Sequence, residues 1–314
     1  VAGSTITIQG NGATIERSGG CSLNGTAATG EFRIFHVASG GNLTLDSVTV
    51  QNGCADGIGA HSEGGAVRCD LGVVTIQASS LVSNRAVFGG AILNFYGTVT
   101  IADSVMANNN AGADAGVLSN FGTVTINRST IANNSADDDG GAIDNLPDGS
   151  VTIRESTLSG NTAKDFGGAI HNRGTLDIAN STLSDNQADV DNFGSGDGGG
   201  IYNSTGPATA KVSFTTITAN AARNGGGISN SGTLNIKNSI VGNNTASSGP
   251  NCSLVGGTFA PSGVNFDTDG SCTGFTNTSA LNLGPLANNG GPTQTHALLL
   301  GSVAINAVTD CTLI

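Results

Sequence analysis

Residues 167–188 read GGAIHNRGTLDIANSTLSDNQA, and this unit recurs with slips from about residue 30 to residue 248. Aligned on the apolar residue after Gly-Gly, the copies fall at Val67, Ile92, Leu118, Ile143, Ile170, Ile201 and Ile228, with steps of 25, 26, 25, 27, 31 and 27 residues. A fixed period of this size marks supersecondary units that stack. Each unit holds three short runs with period-two alternation, separated by Gly, Asn or Asp. The first is GGAI-x-N, at 89–94, 140–145 and 167–172. The second resembles T-V-T-I, at 98–101, 123–126, 150–153 and 175–178. The third resembles S-T-I-x-x-N, at 104–109, 129–134, 156–161 and 181–186.

Three strands in so few residues cannot shield their own edges. Stacking unit on unit pairs every strand with its equivalent about 4.8 Å above and below, and one set of alternate residues becomes the core. No 3.6-residue periodicity competes, and the glycine content opposes helix. The expectation is an all-β chain: a right-handed single-stranded parallel β-helix, the usual hand for parallel crossovers, of about eight to nine coils. Residues 1–249 are assigned to the repeats. Residues 250–314 carry four of the six prolines and half of the cysteines, and are assigned to an irregular, disulfide-containing C-terminal cap packed on the last coils.

Two asparagine columns support the register. Asn84, Asn109, Asn134, Asn161, Asn186, Asn220 and Asn244 each lie eight residues after the last apolar residue of the second strand. Asn94, Asn120, Asn145, Asn172, Asn203 and Asn230 each lie two after the first-strand anchor. Amides stacked at strand spacing can hydrogen-bond along the column, and Asn tolerates a left-handed bend, so both columns are expected to be structural ladders.

Composition narrows the function. The 314 residues include 49 Gly, no Trp and two Tyr, with charged residues at 11% and a formal net charge of −12. An acidic surface with few Lys and Arg opposes binding to nucleic acid or anionic lipid. No run of 18 apolar residues suggests a transmembrane helix. The six cysteines, Cys21, Cys54, Cys69, Cys252, Cys272 and Cys311, show no zinc spacing and read as disulfides of an oxidising, extracellular compartment. Cys252–Cys272 is the one expected pair, closing a short loop; the pairing of Cys21, Cys54, Cys69 and Cys311 stays open, with Cys54 and Cys69 read as staples rather than nucleophiles. The chain opens in a strand pattern, which gives an open sheet edge suited to self-association or to pairing with other surface proteins.

The GGAI and x-x-N signatures resemble the repeats of chlamydial polymorphic outer-membrane proteins, with Leu81, Met106, Ile131, Leu158, Leu183, Ile217 or Val241 in place of the Phe of FxxN. The ending GPLANNGGPTQTHALLLGSVAIN, residues 284–306, is similar to the tail of bacterial surface proteins with a choice-of-anchor Q region. The resemblance implies a secreted or surface-attached β-helix of adhesive or structural role.

Four groups of residues remain as candidate sites. The residue after each first-strand anchor reads Arg68, Leu93, Ser119, Asp144, His171, Tyr202 and Ser229. Asp144, His171 and Tyr202 on successive coils are within reach of Asp–His hydrogen bonding and are the candidate for a carbohydrate-active site, a polysaccharide lyase or glycoside hydrolase acting on glycans; the alternative is a solvated strand face. The loops before Gly-Gly carry Asp114, 137–139 and Asp165, then Asp189, Asp191 and Asp197 within ADVDNFGSGDGGG, whose hard oxygens suit Ca²⁺. The Thr-x-Thr pairs at 98/100 and 123/125, with Ser150/Thr152, form a lattice like that of ice-binding solenoids, decaying at Asp177, Lys211 and Asn235. His36, His61 and His296 have no partner legible in the sequence.

Overall fold

The computed structural model describes residues 3–22, 32–57, 59–190 and 196–314. The repeats form a parallel β-helix. The GGAI-x-N segments become Phe35–Val37, Val67–Asp70, Ile92–Phe95, Leu118–Asn120, Ile143–Asn145, Ile170–Asn172, Ile201–Asn203, Ile228–Asn230 and Cys252–Leu254, which order into a nine-stranded sheet. The T-V-T-I segments, Thr98–Ala102 among them, and the following S-T-I segments, such as Val105–Ala107, run along a second, larger sheet. Register is strict: Ile101 pairs with Ile76 and Ile126, and Ile143 with Leu118 and Ile170.

The coil carries four strand runs rather than the three expected. Beyond each S-T-I strand the chain bends and resumes as a two-residue strand, Arg85–Ala86, Asn110–Ala111, Ser135–Ala136 and Thr162–Ala163, in a five-stranded sheet with Cys54–Ala55. The bend has a consistent chemistry. The residue before each ladder asparagine takes a left-handed backbone: Ser83, Asn108, Asn133, Gly160, Asp185, Ala219 and Asn243. The ladder asparagines themselves do not, so their role is hydrogen bonding and the bend is made one residue earlier.

Both asparagine columns are ladders. In the first, Asn109 donates its backbone N–H (2.9 Å) and its Nδ2 (3.0 Å) to Asn134 Oδ1, and donates Nδ2 to Leu81 O on the coil on its other side (3.0 Å). The pattern extends beyond Asn244 to Asn251, which donates to Asp269 Oδ1 at 2.8 Å. In the second, Asn94 donates to Asn120 and onward through Asn145, Asn172 and Asn203 to Asn230 at 2.7–2.9 Å. A third column consists of the serines that open the S-T-I strands. The backbone N–H of Ser79 donates to Ser104 Oγ, that of Ser104 to Ser129, of Ser129 to Ser156 and of Ser156 to Ser181, at 3.1–3.2 Å. Ladders of this kind let backbone groups at the corners bury without losing partners.

Inside, Ile76, Ile101, Ile126, Ile153, Ile178, Val212 and Ile236 form one wholly buried file, and Leu81, Met106, Ile131, Leu158, Leu183, Ile217 and Val241 another. The Gly-Gly pair serves two needs. The first glycine, as at Gly140, has positive φ; a Cβ on the second, Gly141, would collide with the carbonyl oxygen of Gly168 on the next coil.

Stacking continues past residue 250: Cys252–Leu254 pairs with Ile228–Asn230, and Thr258–Ser262 with Thr233–Lys237. Only after this extra coil does the chain turn irregular. Leu283–Ala287 and Thr295–Leu298 form the sole antiparallel pair among the described residues and lie on the flank of the helix, where Gln294 O accepts from Thr157 Oγ1 at 2.5 Å. Cys252 is bonded to Cys272. Cys54 is bonded to Cys21, not to Cys69. Cys69 is a buried free thiol in register with Asn94, at the foot of the second ladder.

Candidate functional site

The column after the first-strand anchors is a floor, not a solvated face. Register places Asp144 beside His171 and His171 beside Tyr202. The loops before Gly-Gly and the residues after each strand close over this column, leaving Asp144 0%, His171 3% and Ser119 3% exposed. A face of polar side chains becomes buried here because the loops bring their own charges to it.

His171 lies nearer a loop acid than its column neighbour. Its Nδ1 is 3.0 Å from Asp139 Oδ2 and 3.4 Å from Asp144 Oδ1. Neither contact has hydrogen-bond geometry, so the expected Asp–His bond is absent. Asp144 is instead held by Arg173 Nη2, which also lies 3.9 Å from Asp114 Oδ2. Tyr202 stacks on Phe166 (centroids 4.6 Å apart, planes at 22°) and tilts toward His171 at 5.2 Å. The three candidates are thus adjacent without forming a relay. Arg173, Asp139 and Phe166 are the partners that were missed. Arg173 lies two residues after His171, in the bend that follows strand Ile170–Asn172, and Asp139 immediately precedes Gly-Gly; those positions are the signals the sequence offers.

Electrostatics follow from this crowding. Burial pushes the Asp144 carboxyl up despite the pull of His171 and Arg173. Asp114 is pushed up to about 6 by burial, then by Asp144 and Asp139. Asp138 also reaches about 6, through burial, Asp139 and a hydrogen bond with Asp165. Asp139 goes the other way: burial raises it, but His171, the Phe166 N–H and Arg173 together hold it below its ordinary value.

Two coils away from His171 the floor drops to the small Ser119, and a cavity of about 160 Å³ opens. Leu93, Ser119 and Asp144 form its floor, with Glu63, Phe88 and Asp114 on one side and Phe121 and Leu146 on the other. Beside it, Phe95, Tyr96 and Phe121 meet with centroids 4.9–5.9 Å apart, and Phe95 and Tyr96 remain exposed.

The remaining candidates fall elsewhere. Asp197 accepts from Asn224 Nδ2 at 2.7 Å, Asp189 takes a left-handed backbone, and Asp191 lies outside the described residues. Among the described residues, the acids whose oxygens converge are Asp114, Asp138 and Asp139. The Thr lattice is in register from Thr75 through Thr100, Thr125 and Thr152 and then meets Asp177, which pairs with Arg154 at 2.6 Å. His36 does have a partner, Asp70 at 2.7 Å, which Arg68 also holds. His296 also has partners, Gly284 O at 2.7 Å and Ser184 Oγ at 2.9 Å, and His61 sits in the 3-10 turn Gly59–Ser62.

In comparisons with known proteins, the profile of the Chlamydia polymorphic membrane protein repeat matches residues 128–145 and 155–173. Both segments run from the S-T-I corner, through a ladder asparagine, to GGAI-x-N. No curated protein and no solved structure matches the chain. No helix among the described residues is long and apolar enough to cross a membrane.

Proposed function

We propose that this chain is a bacterial surface module of the adhesin kind, which binds glycans along the outer side of its nine-stranded sheet. The polymorphic membrane protein repeat and the β-helix support the surface reading. The tail at 284–306, similar to choice-of-anchor Q regions, fits attachment to a cell envelope. The observation that carries the glycan reading is the cavity over Leu93, Ser119 and Asp144, bordered by the exposed rings of Phe95 and Tyr96. A sugar ring offers an apolar C–H face to aromatic rings and hydroxyl donors to carboxylates, the mix that small-ligand sites present. The acidic surface favours neutral or amino sugars over uronic acids.

The test is binding of the labelled full chain to a glycan array. Wild type should retain a restricted set of neutral or amino glycans, and Tyr96→Ala with Phe121→Ala should cut that signal at least about tenfold. Silence across the array, or full binding by the double variant, removes the reading. A second reading, glycan cleavage, has one specific support: Asp114 at about 6 and Asp144 line one cavity, the environment of a carboxylic acid kept protonated near neutral pH. It requires release of reducing ends from a bound glycan, lost in Asp114→Asn.

A further inference from the structure

The turns that follow the first strand differ in length from coil to coil. One residue stands between the ladder asparagine and the next glycine where Phe121 joins Asn120 to Gly122, and where Arg173 joins Asn172 to Gly174. Two stand after Asn94, namely Phe95 and Tyr96, and three after Asn145, namely Leu146, Pro147 and Asp148. The short Phe121 turn therefore lies between two longer ones, and hydrogen bonds fix the backbone of all three. Gly97 N donates to Asn94 Oδ1 (3.1 Å), Phe121 N to Asn94 O (2.9 Å), Leu146 N to Asn120 O (3.0 Å) and Gly149 N to Leu146 O (2.8 Å). The freedom left in these turns belongs to the side chains.

A single side-chain bond joins the two longer turns. Tyr96 Oη donates to Asp148 Oδ2 at 3.0 Å, across 52 positions of sequence and two coil steps of about 4.8 Å each. The Tyr96 ring packs on Phe95 (centroids 4.9 Å apart) and on Phe121 (5.9 Å), and Phe121 is a wall of the cavity over Ser119. Phe95 in turn lies 5.9 Å from the Arg68 guanidinium, which Glu63 and Asp70 hold. The three rings are thus tied at both ends, by an ion-paired arginine at Phe95 and by a carboxylate at Tyr96. Asp148 does not line the cavity, so its effect there passes through Tyr96.

We propose that Asp148 is a positioning residue for the ligand of this cavity: by clasping the Tyr96 hydroxyl it sets Phe95, Tyr96 and Phe121 as one fixed platform. The physical reason is entropic. Tyr96 is exposed, and an exposed ring loses side-chain freedom when a ligand stacks on it. A bond that fixes the ring beforehand spares that loss and so strengthens binding without touching the ligand. The inference rests on the glycan reading above and adds to it the group that makes the platform rigid. The clasp also leaves a signature of its own, because the accepting carboxylate pushes the Tyr96 phenol up, first through the hydrogen bond and then through its charge.

Tyr96 and Tyr202 are the two tyrosines of a chain without tryptophan, so Tyr202→Phe leaves Tyr96 as the one phenol that an ultraviolet titration reads. In that background Asp148→Ala, at an exposed position where folding is spared, should lower the midpoint of phenol ionisation. An unmoved midpoint overturns the clasp. Affinity is then measured on the full chain for the glycan it retains best on the array. Asp148→Ala and Tyr96→Phe should each weaken binding about fivefold. Together they should weaken it no further, because both remove the same bond. Asp148→Asn keeps an acceptor for the hydroxyl and should stay within about twofold of wild type. Additive losses, or wild-type affinity in Asp148→Ala, overturn the positioning role and leave the glycan reading standing. A wild-type chain silent on the array removes the glycan reading, and the positioning role with it, whatever the phenol midpoint shows.

Discussion

Ala115 stands where the aligned coils carry Gly64, Gly89, Gly140, Gly167, Gly198, Gly225 and Gly249, and like them it has positive φ (66°). A Cβ in the left-handed region is strained, whereas glycine takes it freely. Ala115→Gly should therefore stabilise the chain by about 1 kcal/mol, measured as a shift in the urea midpoint with unchanged slope. A ladder residue is the opposite case. Asn134 accepts from the Asn109 N–H and Nδ2 and donates to Met106 O and Asn161 Oδ1, all within 3.1 Å. Asn134→Ala strands buried donors and should cost about 3 kcal/mol, whereas Thr125→Ala, half-buried on the outer face, should stay within about 0.5. Asp114 adds a pH signature. Its folded-state pKa of about 6 is above the unfolded value of about 3.9, so its contribution is largest below the unfolded value and is lost as pH rises through about 6. Asp114→Asn should gain on wild type in melting temperature as pH goes from about 4 to about 7.5. A flat difference would show that the carboxyl is not shifted.

At the scale of the element, the sequence was most informative where a residue's neighbours are its own copies. Ile101 packs and pairs with Ile76 and Ile126, so periodicity alone located it. The same logic named both asparagine ladders but passed over the serines, because Ser79, Ser104 and Ser129 also read as ordinary strand openings. Periodicity was silent where contacts join unlike segments. Nothing in the repeat announces that Asp139 faces His171, or that Cys21 rather than Cys69 bonds Cys54. The hairpin of Leu283–Ala287 and Thr295–Leu298 shows the same limit. Its hold on the helix includes His296, which reaches Ser184 Oγ, a residue 112 positions earlier. His296→Ala should speed amide exchange in this hairpin and leave the core strand Ile153 lies in, Ser150–Arg154, protected. Equal loss in both would mean that the hairpin and the coils unfold as one unit.

The whole molecule behaves as a stack in which each coil touches mainly the coils beside it, so the fold should tolerate a change in coil number provided register survives. Residues 104–128 make one full turn of the ladder: Ser104 donates its backbone N–H to Ser129 Oγ, 25 positions on. Excising them joins Asp103, which already has the left-handed backbone required before a serine corner, to Ser129. Asn84 would then meet Asn134, Asn94 would meet Asn145, and Ile76 and Ile101 would keep an isoleucine, Ile153, as the next member of their file. The shortened chain should fold with unchanged β content by circular dichroism and lose about 4.8 Å of length by small-angle scattering. Because the excised turn holds Asp114, Ser119 and Phe121, it should also lose glycan binding. A chain that unfolds on excision would show that the coils are not interchangeable. One that folds and still binds glycan as wild type does would place the sugar elsewhere than the cavity over Ser119.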